Sequence, residues 1–298
     1  MRIVSLLPSA TEIVYALGLG DDLAGVTSSC DYPSGAAGKT VVSRAVIEDE
    51  GLTPAELDRL VSRYASEGLS VYGLDAEAIG RIDPDVILTQ DLCRVCAVPS
   101  GQVDEALARL GCRADVVSLD PSSLDDVLDG IARVGRATGT DARATEVVAG
   151  LRDRIAAVVN RTAGRRRVPT ACLEWLDPPF TGGHWVPEMV ELAGGANLLS
   201  GRGERSRRTT WDEVVASKPE VVVAMPCGYG LAEASAEASA LPEDGPLAGV
   251  RLVAADADGL FSRPGPRLVD GLEALAWVLH PDAVPEPAPG AVAVLRER

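Results

Sequence analysis

The chain has 298 residues, enough for two domains or one large α/β domain, and its 46% apolar content can build a real core. A net charge of −16 argues against nucleic acid and anionic membranes as partners, because both select clustered Lys and Arg. Membrane insertion is excluded by the lack of an apolar run of about 18–20 residues, and the start "MRIVSLLPSATE" lacks the pattern of a secretory signal, so a cytoplasmic location is expected.

In chain order, "RIVSLL" reads as a strand and "SATEIVYALGLG" as a helix. Ser9 and Glu12 form the expected capping box, and Gly18 or Gly20 the stop. "LAGVTS" is a second strand, followed by the loop "SCDYPSG". "TPAELDRLVSRYASEG" is a helix capped by Thr53, with Pro54 in its first turn. "SVYGL" and "DAEAIGRI" give a strand and a helix. "DPDVILT" is a buried strand that leads into the loop "QDLCRVCAVPSG", and "GQVDEALARLG" and "ADVVSL" follow as helix and strand. From Pro121 to Gly164, Leu124, Val127, Leu128, Ile131 and Val134 recur at helical spacing. The pattern resumes at Val147, Val148, Leu151, Ile155 and Val158, predicting one long helix with Gly139 as its point of interruption.

The alternation then restarts. "RVPTACLEWL" is a strand, "HWVPEMVELAG" a helix, and "TWDEVVAS" a short helix with a capping box at Thr210 and Glu213. "PEVVVAM", "YGLAEASAEASA", "VRLVAAD" and "GPRLVDGLEALAWVLH" continue as strand, helix, strand and helix. "PDAVPEPAPG" is Pro-rich and expected to be disordered. The expected fold class is α/β: two Rossmann-like lobes joined by a long backbone helix, with a ligand cleft between the lobes. The boundaries are 1–119 for the N-terminal lobe, 120–164 for the connecting helix, 165–280 for the C-terminal lobe and 281–298 for the tail. Ligands of such sheets bind outside the carboxyl ends of the strands.

On "RIVSLLPSATEIVYALGLGDDLAGVTSSCDYP", "GLDAEAIGRIDPDVILTQDLC" and "PEVVVAMPCGYG", the chain resembles the class III substrate-binding proteins of ABC transporters. "LLPSATE" and "CDYP" are similar to the cobalamin-binding group. The resemblance implies two α/β lobes on a rigid helix, with cobalamin, haem or an iron–siderophore held between them. Two departures count against a transporter partner: there is no export signal, and the acidic docking residues of relatives have no evident match here.

The special residues fall on loops that leave the strands. Cys30, Cys93, Cys96 and Cys227 come from three such loops, and Cys112 and Cys172 read as core. Three readings of the four thiols stay open. They could ligate a metal ion or iron–sulfur cluster, since soft thiolates suit both. They could be redox or nucleophilic thiols, although Pro99 and Ser100 separate the CxxC from its helix. They could simply be small buried residues.

Glu174 and His184 are the candidate acid/base pair, against packing or capping roles for the same side chains. His280 closes the last helix, where it complements the helix dipole. Of eleven aromatic residues, Tyr32, Trp175, Phe180, Trp185, Trp211, Tyr229 and Phe261 lie in or beside these loops and could wall a flat ligand, or plug the lobe interface instead. Arg202, Arg205, Arg207 and Arg208 form a basic cluster on an acidic chain, with Arg207 and Arg208 the candidate anion clamp and Arg263 a second. Ser9, in "PSATE", adds backbone N–H groups at a helix start.

Two functions follow. One is a cytoplasmic binding protein for a corrinoid, with cobalamin the candidate ligand, or for another metal chelate. The other is a metalloenzyme on the same scaffold, with the four cysteines holding the metal and Glu174 and His184 moving protons on a small anionic substrate.

Overall fold

A computed structural model of the chain describes residues 1–47, 51–67, 69–91, 98–110, 113–242, 244–245 and 247–297, with backbone only at 109 and 110. The chain divides into two units, Met1–Pro121 with Asp125–Ala149, and Ser122–Leu124 with Gly150–Arg298.

Unit 1 is built from β1 (Ile3–Ser5), α1 (Pro8–Ala16), β2 (Leu23–Thr27), a 3-10 turn (Ser34–Gly38), β3 (Thr40–Ala45), α2 (Pro54–Ser66), β4 (Tyr72–Leu74), α3 (Ala76–Ile82), β5 (Val86–Thr89), α4 (Ser100–Leu110), β6 (Asp115–Ser118) and α5 (Leu124–Thr138). The strand order is β4-β3-β2-β1-β5-β6, parallel except for the antiparallel β3–β4 edge. Every residue of β5 is buried, which is why "VILT" is an unbroken apolar-rich run rather than an alternating one. Val4, Leu6, Val42, Ile79, Ile87 and Val103 form the core on one face. Each such side chain contributes about 1.5–3 kcal/mol by leaving water.

The strand order reverses between β1 and β5, so the unit's switch point lies beyond Ser5 and Thr89. The expected capping box at Ser9 and Glu12 is not formed. Pro8 occupies the first helical position, Leu7 is the N-cap without a side-chain bond, and Ser9 and Glu12 are both buried inside the first turns. The stop at Gly18 does form. Gly18 takes φ +79°, and the N–H groups of Gly18 and Leu19 bond the carbonyls of Tyr15 and Val14 at 3.0 Å each.

The segment read as one long helix is two. After α5, Gly139 at φ +68° breaks the ladder, and α6 runs over Asp141–Thr162, with the division between the units falling inside it. α5 and α6 approach closely at Gly135, where a Cβ would lie 2.5 Å from that of Ala144.

Unit 2 contains β7 (Val168–Leu176), β8 (Pro179–Thr181), α7 (Val186–Leu192), β9 (Gly195–Asn197), α8 (Trp211–Ala216), β10 (Val221–Ala224), α9 (Leu231–Ser239), β11 (Arg251–Ala255), α10 (Ala257–Leu260), α11 (Leu268–Leu279) and β12 (Val292–Arg296). The order is β12-β11-β10-β7-β8, with β9 also pairing β7. β9, β7, β10 and β11 are parallel, while β8 and β12 run antiparallel to their neighbours. The sequence reverses direction across β7 and β10, which places this unit's switch point beyond Glu174–Leu176 and Met225–Cys227.

The Pro-rich tail corrects the expectation of disorder. Val284 and Ala291 are buried, the Ala291 carbonyl accepts from the Asp256 N–H at 2.9 Å, and the chain then enters β12 against β11.

Candidate functional site

In unit 2, β7 carries Glu174 to the switch point. Gly183 sits where a Cβ would lie 2.1 Å from the Ser206 nitrogen, so only glycine lets the 200–208 loop come this close. The Gly183 N–H donates to Glu174 Oε1 at 2.8 Å. Burial pushes the Glu174 carboxyl above the usual range, and the Gly183 N–H and Ser206 hydroxyl pull against that. The next residue, His184, adopts φ +54°, held by its N–H on the Glu204 carbonyl (2.5 Å) and by the Gly203 N–H on its own carbonyl (3.0 Å). A non-glycine residue in this region stores about 1–3 kcal/mol. Its Nδ1 is shielded from solvent and has no hydrogen-bond partner among the described residues. Burial, with the Arg205 charge, holds the imidazole below its ordinary pKa.

Trp175 and Tyr229 meet edge to face, with ring centroids 5.4 Å apart, and the Trp175 indole donates to the Asp177 carbonyl at 3.1 Å. Both side chains are half-buried, and Cys227 beside them is exposed, its N–H on the Glu174 carbonyl at 2.9 Å. Arg208 lies over Phe180, 5.5 Å from the ring centroid. These groups therefore share one end of one sheet. They offer aromatic edges, an imidazole and an arginine.

Other expected residues have structural employment. Trp185 is 6% exposed, and its indole donates to the Phe261 carbonyl at 2.8 Å, so it packs the interior instead of walling a ligand. Arg263 is 7% exposed and clasps the Asp258 carboxylate through two guanidinium nitrogens, which replaces the expected free clamp. Arg207 reaches Glu213 at 3.5 Å, and Arg202 pairs with Glu191. Trp211 opens α8 and packs against the core cluster that includes Val214 and Leu247. His280 is buried, its Nε2 3.2 Å from the Gly194 carbonyl.

In unit 1, Ser9 is buried, while Tyr32 is 47% exposed. Cys30 is buried, with Sγ 3.1 Å from Thr11 Oγ1, and Thr11 in turn donates to Ser5 Oγ at 2.9 Å. Cys93, Cys96 and Cys112 lie outside the described residues. Cys172 is fully packed, and burial pushes its thiol well above the usual range. Among the described residues no group of three or more His, Cys, Asp or Glu side chains could hold a metal ion, and no helix is long and apolar enough to cross a membrane.

The sequence reading missed several polar groups that are buried or half-buried. Thr27 and Ser43 are register partners on β2 and β3, each 2% exposed. Arg154 joins Glu273 at 2.7 Å and also pairs with Asp270. Glu237 on α9 has solvent-excluded carboxylate oxygens. The alanine-rich sequence of α9 shows no clear apolar face, so it gave no signal for Glu237.

Residues 3–246 match the family model described as periplasmic binding protein, which is most of the chain. The chain belongs to the periplasmic binding protein family. Within it, the vitamin B12-binding protein of Vibrio cholerae is 26% identical over 93% of this chain and 88% of its own length. The cobalamin-binding protein of Halobacterium salinarum is 27% identical over 94% of this chain and 69% of its own length. Among solved structures, a periplasmic heme binding protein from Pseudomonas aeruginosa superposes with a TM-score of 0.72 at 20% identity, covering 100% of this chain and 98% of that one. The two α/β units described above are thus the periplasmic binding protein fold.

Proposed function

We propose that this chain is a binding protein for a corrinoid or a similar metal chelate, and that unit 2 meets the ligand with Trp175, Tyr229 and Arg208. The likeness to vitamin B12- and cobalamin-binding relatives over 93% and 94% of the chain carries this reading. The chemistry at the unit 2 switch point supports it. Half-buried aromatic edges match a large, flat, partly apolar ligand, and the Trp175 indole N–H is already bonded to the Asp177 carbonyl, so ligand binding does not strand it. Arg208, lying over Phe180, brings a positive charge to the same end of the sheet, which suits carboxylate or phosphate groups on such a ligand's rim.

Titration calorimetry of the full chain with cyanocobalamin, and separately with hemin, tests the reading. Saturable binding of one of them is expected, with Trp175→Ala weakening it about tenfold or more. Absence of binding to both, or binding that Trp175→Ala and Tyr229→Ala leave untouched, would overturn the assignment.

A further inference from the structure

A backbone ladder joins the basic cluster of unit 2 to its aromatic side chains. Residues 204–209 run antiparallel to residues 179–184. The Thr181 N–H donates to the Arg207 carbonyl at 2.9 Å, the Thr209 N–H donates to the Pro179 carbonyl at 2.8 Å, and Phe180 faces Arg208 as the bridge pair between them. A pair flanked in this way, with no hydrogen bond of its own, brings its two side chains close. The Arg208 guanidinium accordingly lies over the Phe180 ring, 5.5 Å from the centroid. On the other edge of β8, Phe180 is the register partner of Trp175, and Trp175 meets Tyr229 edge to face. Tyr229, Trp175, Phe180 and Arg208 therefore follow one another as a row of half-buried rings that ends in an exposed cation.

The ladder also sorts the arginines. Side chains alternate across a strand, so Arg207 leaves the Phe180 face and reaches Glu213 at 3.5 Å. Arg202, ahead of the ladder, pairs with Glu191. Arg208 is the one that the backbone sets on the aromatic face. A guanidinium stacked on a ring is partly shielded from water, which strengthens its attraction for a carboxylate or phosphate. The net charge of −16 makes that local cation matter more, because the field of the whole chain repels anions.

We propose that this row makes unit 2 selective for charge: it takes a flat ligand that carries a carboxylate or phosphate beside its ring system in preference to the uncharged counterpart, and Arg208 is the residue that decides. The identity of the ligand as a chelate rests on the reading above; the charge preference rests on the row itself. A corrinoid with its nucleotide phosphate and a porphyrin with free carboxylates share this chemistry. A corrinoid without the nucleotide and an esterified porphyrin lack it.

The test uses the full chain and matched pairs of compounds. Cyanocobalamin is set against dicyanocobinamide, which lacks the phosphate, and hemin against hemin dimethyl ester. A third pair, 1-pyrenebutyrate against 1-pyrenebutanol, probes the row without any chelate. The four tryptophans, Trp175, Trp185, Trp211 and Trp277, all belong to unit 2, so quenching of intrinsic fluorescence reports binding there. In at least one pair the anion is expected to bind about tenfold tighter than its neutral counterpart. Arg208→Gln should remove most of that difference by weakening the anion alone, and Arg208→Lys should restore part of it. Arg207→Gln removes the same charge from the other face and should change anion affinity by less than about twofold. Unchanged thermal melts of these variants would tie the losses to the site. No binding of any compound, equal affinities within every pair, equal weakening of both members by Arg208→Gln, or an Arg207→Gln loss as large as that of Arg208→Gln would overturn the proposal. Discrimination in the pyrene pair by a chain that binds no chelate would sink the chelate reading and leave the charge preference standing. Chelate binding without discrimination would do the reverse.

Discussion

The carboxyl ends of the two sheets are furnished in opposite ways. In unit 1 several of the described residues there are small hydroxyl groups folded inward, while Tyr32 and Asp91 stay exposed: Ser5 donates to the Leu7 carbonyl, Thr11 to Ser5, and Thr89 to the Val98 carbonyl, each of these three side chains fully buried. In unit 2 the corresponding positions hold Glu174, His184, Trp175 and Tyr229, half-buried and large. Short side chains reach only nearby backbone, so they satisfy themselves and close the surface. Long side chains keep one end out, so they remain able to meet a ligand. The half-buried aromatic side chains proposed to meet a ligand thus come from unit 2, even though both sheets have the same switch-point architecture.

Three pairs of substitutions, one member in each unit, sharpen or break this contrast. The largest effect is expected from core truncation. Leu173→Ala in unit 2 and Ile87→Ala in unit 1 should each cost about 2–5 kcal/mol. Denaturant unfolding should show Leu173→Ala shifting the fluorescence midpoint and Ile87→Ala shifting the circular dichroism midpoint more than the fluorescence one. Equal fluorescence shifts would argue that the units unfold together.

Next comes Gly183→Ala, whose Cβ meets the Ser206 backbone. A loss of about 1–3 kcal/mol is expected, together with release of the Glu174 carboxyl. Gly38→Ala in unit 1, where a Cβ meets nothing within 4 Å, should leave the melting temperature almost unchanged. A Gly183→Ala variant as stable as the natural chain would show that the 200–208 loop yields easily.

The smallest effect concerns helix caps. Thr53 with Glu56 and Thr210 with Glu213 form the same box, one in each unit. Replacement of either threonine by alanine should cost about 0.5–2 kcal/mol, and replacement by serine should restore most of it. Similar losses in thermal melts would show that the units differ in their site chemistry and share their local helix signals.

Those caps also mark what a sequence discloses. The caps at Thr53 and Thr210 were legible from local sequence, although the same spacing at Ser9 and Glu12 formed no box, and so were β5 and β10, whose unbroken apolar runs reflect burial on both faces. β3, β8, β9 and β12 were not read, because strands of three to six residues with exposed or polar positions are defined by their partners. At the site, the strand-end rule brought Glu174, Trp175, Cys227 and Tyr229 to one place. It could not foresee that Asp258 would occupy Arg263, or that Phe261 would take the Trp185 indole, because both partners are supplied by the folded chain. Glu237 stayed hidden among the alanines of α9, which leave no clear apolar stripe for a charge to interrupt.

The segment after α11 has a consequence for handling the molecule. Prolines 285, 287 and 289 stretch the chain alongside its unit, and β12 then stitches itself onto β11 as the sheet's outer hem. Trimming the polypeptide at the strap would unpick that hem and bare a row of β11 amides and carbonyls, a template on which strands from neighbouring molecules can add.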